Sequence, residues 1–169
     1  MESGFLPRSV DPERAADQRL VFVGPLDTAP LMRLRELAAG DAGRISGRLA
    51  FMRDEQGRAV MEGHAEALLP LLCQRCAAVF RFELHADWRR IFVRSEADEQ
   101  DLAEKGVDVC YHDGPLDVAD VVEEELMLAL PMAPRHPEGC VSVLQPAAGT
   151  HPFAGLAGLL KRDRRDNRN

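Results

Sequence analysis

The sequence predicts an α+β fold, an antiparallel β-meander packed against a few helices. Three observations lead there. Residues 44–52, 59–72 and 79–93 form long strand-like runs joined by short turns. The clearest helical pattern follows those runs, and strands first with helices after is an α+β order. The composition is that of an ordinary globular chain, 46% apolar and 29% charged. Aromatics make up only 5%, so the core must be built mainly from Leu, Val, Ala and Met.

Taken in order, residues 1–18 read as an irregular lead-in, because Pro7 and the Asp11-Pro12 pair break regular elements. Residues 19–24, with Leu20, Val21, Phe22 and Val23, read as a short strand that Pro25 ends. Pro30 opens a helix through Leu31, Leu34, Leu37 and Ala38, stopped at Gly40. The run 44–52 alternates, with Ile45, Gly47, Leu49 and Phe51 on one side and Arg44, Ser46, Arg48 and Ala50 on the other. A loop carrying Gly57 turns the chain into 59–72. In the third run Phe80, Phe82, Leu84, Ala86 and Trp88 keep step. Residues 95–106 read as a mobile acidic loop and 107–111 as a short strand. Pro115 and Asp117 then start a helix whose apolar face carries Val118, Val121, Val122, Leu126 and Ala129. Its last turn, 126–130, is apolar all round and reads as buried. A last short helix is expected over 152–161, with Phe153, Leu156, Ala157 and Leu160 on one face. The organisation is a single α+β domain over 19–161 with a disordered basic tail over 162–169.

Charge is spread unevenly around a net of −7. Residues 96–125 hold twelve acids against one base, Lys105. Residues 73–94 hold Arg75, Arg81, Arg89, Arg90 and Arg94 against Glu83 and Asp87, and the tail 161–169 holds five bases against two acids. The acidic average disfavours indiscriminate nucleic-acid binding, which needs clustered Lys and Arg. It leaves open local RNA contact through the arginine stripe, a basic protein partner, or simply a solvated sheet face. The opening residues lack the basic start and apolar run of a signal peptide. The longest apolar stretch, 126–133, is too short to span a bilayer. The expectation is a cytoplasmic protein with its four cysteines reduced.

Reduced cysteines point to metal or redox chemistry, and Cys73-Gln74-Arg75-Cys76 is the strongest local feature. Two thiolates two residues apart can grip one metal ion, because the turn between them brings both sulfurs to one side. A structural zinc needs four ligands, and His136 with Cys140 offers a second pair after the acidic helix. A zinc on Cys73, Cys76, His136 and Cys140 would join the sheet to a C-terminal loop. Two other readings stay open. A thioredoxin-like redox pair belongs at a helix N-terminus, whereas this one lies between strand-like runs. The pair can also be two plain reduced cysteines in a turn. Cys110 reads as a small buried hydrophobe, and His64 and His85 as ordinary strand positions. His112-Asp113 with the surrounding acids would be the raw material of a divalent-metal nuclease, although acids on a loop or a helix's outer face ordinarily serve solubility. No Gly-rich phosphate loop, G-x-S-x-G or H-E-x-x-H is present.

Four separated motifs carry a family resemblance. They are Leu6-Pro7 with Asp11-Pro12-x-Arg14, Ala16, Arg19-Leu20 and Gly24; then Leu72-Cys73-Gln74-Arg75-Cys76 with Phe80. Val122-Glu123-Glu124-Glu125 and Leu128-Ala129-Leu130-Pro131 follow, with Pro134, His136 and Cys140, and the series closes on Pro152-Phe153-Ala154, Leu156-Ala157 and Leu160-Lys161. In this order they resemble the YceD family, the large ribosomal RNA subunit accumulation proteins, over nearly the whole chain. One departure is His151, where the family pattern has Asn, the better helix cap. The resemblance implies a non-enzymatic ribosome-biogenesis factor supporting synthesis, processing or stability of 23S ribosomal RNA. Its partners would be large-subunit RNA or a pre-ribosomal particle, met directly or through a basic ribosomal protein. The resemblance also implies that the position of His136 takes His or Cys, an exchange zinc tolerates. The competing class is a zinc- or thiol-dependent enzyme acting on RNA or protein, and cleavage of labelled ribosomal RNA separates the two.

Overall fold

The computed structural model describes residues 4–40, 43–137 and 140. The chain divides into two compact units, Met1–His136 and Pro137–Asn169, and of the second only Pro137 and Cys140 are described. The short helix read over 152–161 and the basic tail 162–169 therefore lie outside the described residues.

The first unit is α+β. Its main sheet is built on β3 (Arg44–Arg53), β4 (Ala59–Leu72) and β5 (Val79–Val93). The β3–β4 ladder runs antiparallel from Arg44↔Leu68 to Arg53↔Ala59, and the β4–β5 ladder from Ala59↔Phe92 to Leu72↔Val79. β2 (Val21–Pro25) adds to the free edge of β3. The period-2 reading holds along the sheet: odd residues of β4 and even residues of β5 turn inward from position 84 to 92. Ile45, Leu49, Met61, Leu69, Leu84 and Phe92 form the sheet side of the core. Gly63 faces Trp88 across the ladder, and a Cβ there would overlap the indole, so the glycine makes room for the ring.

The fold departs from a strict meander at its last strand. β6 (Val109–Tyr111) pairs with β5 in parallel, giving the order β2-β3-β4-β5-β6. A parallel neighbour needs a crossover, and the acidic stretch supplies one. Its middle is the helix α3 (Glu96–Glu104), not a loop. Glu96, Asp98 and Glu99 lie in its first turn, where negative charge suits the helix dipole. None of its residues is buried.

The lead-in is also structured. Asp11-Pro12, read as a breaker, is a helix start: Asp11 Oδ1 accepts from Glu13 N–H and Arg14 N–H, and Pro12 takes the first turn of α1 (Pro12–Asp17). Ala15 and Ala16 are buried. Just before it, β1 (Ser9–Val10) pairs with β7 (Leu116–Asp117) in a separate two-stranded sheet.

α4 (Val118–Ala129) is capped by the Asp117 side chain, which accepts from Ala119 N–H and Asp120 N–H. Val118, Val122 and Leu126 face the core, where each full burial contributes about 1.5–3 kcal/mol. The last turn is not buried all round, since Leu128 is 74% exposed. α2 (Met32–Leu37) packs beside α4 and buries Leu34.

Candidate metal centre and RNA-facing surface

The β4–β5 turn holds the CxxC pair. Cys73 N–H donates to Ala78 O and Ala77 N–H donates to Cys73 O, each at 2.9 Å, which folds the chain tightly around both sulfurs. Ala77 sits at φ 58, a left-handed conformation that costs an L-residue about 1–2 kcal/mol. The segment leaving α4 comes back onto this turn: Gln74 N–H donates to Pro134 O at 2.9 Å. That bond delivers His136. Its Nδ1 lies 3.6 Å from Cys76 Sγ, and its ring tilts over Phe80 with centroids 4.6 Å apart.

The ligand atoms of Cys73, Cys76, His136 and Cys140 all lie within 4.8 Å of one another. Tetrahedral ligands about 2.3 Å from a zinc stand about 3.8 Å apart, so the residues fit the ion in type and spacing. Cys73 is 1% exposed. Its burial pushes the thiol up, but backbone N–H donors of Arg75, His136 and Cys76, helped by the His136 side chain, overcome this and bring it down to about 5. A thiolate is the form that ligates metal. Cys110 is the contrast, half-buried and with burial pushing its thiol up. Among the described residues no other group of three or more His, Cys, Asp or Glu side chains has metal-holding geometry. His112, the seed of the nuclease reading, is buried, with Nδ1 3.1 Å from Gly114 O and its ring edge-on to Phe92.

The arginine stripe divides. Arg75 is exposed on the CxxC turn, Arg81 and Arg89 on the outer face of β5, and Arg94 just past its end. Arg90 points inward. Its guanidinium lies 2.6 Å from Glu125 Oε1 and 3.2 Å from Glu124 Oε2, so it is structural rather than available to RNA. Burial pushes the Glu125 carboxyl up, and the Arg90 charge opposes that rise. On the outer face, signs alternate: Arg81, Glu83, His85, Asp87 and Arg89 on β5 meet Glu62, His64 and Glu66 on β4. Hydrogen bonds to Asp87 and Glu66 hold His64 above its usual range. A shallow concavity of about 1000 Å³ opens on this face, lined by both signs, among them Arg44, Arg81, Glu66 and Glu83.

The family model of the large ribosomal RNA subunit accumulation protein YceD matches residues 61–160. The chain belongs to the YceD family. The YceD match takes in the CxxC turn, the acidic helix and all four clustered ligands. A curated relative from Haemophilus influenzae, the large ribosomal RNA subunit accumulation protein YceD, is 32% identical over 174 residues, covering 96% of this chain and 100% of its own. No solved structure matches.

The Cys/His cluster is legible in the sequence because Cys and His at such spacings are rare. Phe80 enters the sequence reading only as part of the family motif and not as a neighbour of His136, and no local pattern marks Arg135. Phe80 reads as one more in-step strand residue, and Arg135 gains meaning only once Pro134 is seen bonded to the CxxC turn.

Proposed function

We propose that the chain is a non-enzymatic, cytoplasmic ribosome-biogenesis factor that supports synthesis, processing or stability of 23S ribosomal RNA. Its family membership over nearly the whole length carries this reading. One structural zinc on Cys73, Cys76, His136 and Cys140 would hold the CxxC turn against the segment that follows α4. When bound, the ion supplies cross-linking rather than reactivity, because a four-ligand site has no open position for substrate. The exposed members of the stripe, Arg75, Arg81, Arg89 and Arg94, are the candidates for RNA contact. In cells lacking the protein, large-subunit RNA should fall relative to small-subunit RNA, with a slowed large-subunit peak on sucrose gradients. An unchanged ratio under both cold and rapid growth would overturn the reading.

The lowered Cys73 thiol favours one rival, a zinc- or thiol-dependent enzyme acting on RNA or protein. Purified protein incubated with labelled ribosomal RNA decides against the nuclease form if the RNA stays intact. Cleavage lost in Cys73→Ser would establish it.

A further inference from the structure

Two segments converge on the Cys/His cluster: residues 70–82, running through the CxxC turn, and residues 131–137, which follow α4. The Gln74–Pro134 hydrogen bond, the Cys76–His136 approach and the Phe80–His136 ring contact hold them together. Neither segment contains an Asp or Glu, with Glu83 and Glu138 just beyond their ends, in a chain that as a whole carries −7. Between them they present Arg75, Arg81 and Arg135, all exposed. The ion pairs among the described residues engage neither Arg81 nor Arg135. Elsewhere along the stripe carboxylates intervene: Arg89 lies 3.9 Å from Glu62, and Arg94 3.9 Å from Glu13. Leu72 and Val79 face each other across the ladder on the side that carries Arg81, 43% and 55% exposed. A zinc with three thiolates and a neutral imidazole adds one negative charge, which three guanidiniums outweigh.

We infer that this arginine-bearing end is the surface that meets the phosphate backbone of large-subunit RNA. Arg75, Arg81 and Arg135 make the phosphate contacts, and Leu72 with Val79 lies against ribose or base. The inference rests on the biogenesis reading above and narrows it from the whole stripe to one end of the sheet. Guanidinium suits the task, since its planar fork takes two phosphate oxygens at once. The exposed acids of α3, Glu96, Asp98, Asp101 and Glu104, repel the same backbone and so favour approach from this end.

The experiment uses the full chain and purified 23S ribosomal RNA at several salt concentrations. The double variant Arg81→Glu with Arg135→Glu should weaken binding roughly tenfold or more and flatten the slope of log affinity against log salt by about two units. Arg48→Glu, on the exposed face of β3 opposite His64 and outside the stripe, should leave both unchanged. Circular dichroism and metal content confirm folding, and Arg81→Gln with Arg135→Gln replaces the double reversal if that variant does not fold. Unchanged affinity and slope in the folded double variant overturn the inference, as does an equal loss in Arg48→Glu. If the parent protein binds no ribosomal RNA while its deletion still lowers large-subunit RNA, the inference falls and the biogenesis reading survives through a protein partner. If deletion has no effect and no RNA binds, both fall.

Discussion

Asp54 closes the β3–β4 turn with a single carboxylate. Oδ1 accepts from Gln56 N–H at 3.0 Å and Arg58 N–H at 2.8 Å, and Oδ2 accepts from Arg58 Nε at 2.7 Å. Burial pushes this carboxyl up, yet the backbone and guanidinium donors of Arg58 outweigh it and hold Asp54 below its ordinary value. A carboxylate held low when folded adds stability above its unfolded value of about 3.9 and loses it as pH falls through the folded value. Asp54→Asn should therefore cost about 1 kcal/mol near neutral pH, with the gap to the parent closing below about pH 4. Urea unfolding at both ends of that range checks it, and a gap independent of pH would assign the effect to turn geometry instead. Ala77 makes a related point about what a sequence hides. Gly57, at φ 78, advertises its turn, whereas the left-handed residue of the CxxC turn is an alanine and gives no sign of its conformation.

Elements lock to one another through groups that no local pattern reveals. α2 has six residues, and its N-cap position, Leu31, offers no side-chain acceptor. Glu123 of α4 supplies one instead: Oε1 accepts from Leu34 N–H at 2.9 Å and Oε2 from Arg33 Nε at 2.8 Å. The side chain is 4% exposed, so its truncation would strand a buried amide donor. Glu123→Ala is expected to destabilise by about 1–3 kcal/mol, and Glu123→Gln, which keeps one acceptor, by less. Thermal unfolding of both variants tests the order, and equal losses would show that the charge rather than the cap matters. From sequence alone these glutamates belong to a solvated helix face. Glu123 and Glu125 are buried because their partners, Leu34 and Arg90, lie far off along the chain. The long strands were legible because alternation is a property of the strand itself. The parallel pairing of β6 was not, since it depends on α3 carrying the chain across, and α3 buries nothing that would mark it. Asp11-Pro12 was misread for a different reason: the same two residues can stop one element or start the next.

At the scale of the molecule, the acids concentrate in the crossover after β5, whereas the Cys/His cluster lies at the turn between β4 and β5. Cys76 and His136 are 60 positions apart in sequence, yet their ligand atoms lie 3.6 Å from each other. That approach is held by the Gln74–Pro134 hydrogen bond, the Phe80–His136 ring contact and the bonds that the His136 backbone and side chain make to Cys73. Each such contact is modest beside the loop entropy that must be lost to bring the ends together. A metal cross-link removes that entropy from the unfolded chain instead, roughly 4 kcal/mol for a loop of this length. For a chain of this size, such a loss corresponds to a melting temperature lower by about 8–16 °C. Purified protein should carry one zinc per chain by elemental analysis, and a strong chelator should lower its melting temperature by that amount. Cys73→Ser should melt near the chelated protein and ignore the chelator. Cys110→Ser, outside the cluster, should keep its metal and still respond. Metal content far below one per chain, together with a Cys73→Ser variant as stable as the parent, would mean that hydrogen bonding and packing alone hold the turn to the segment after α4.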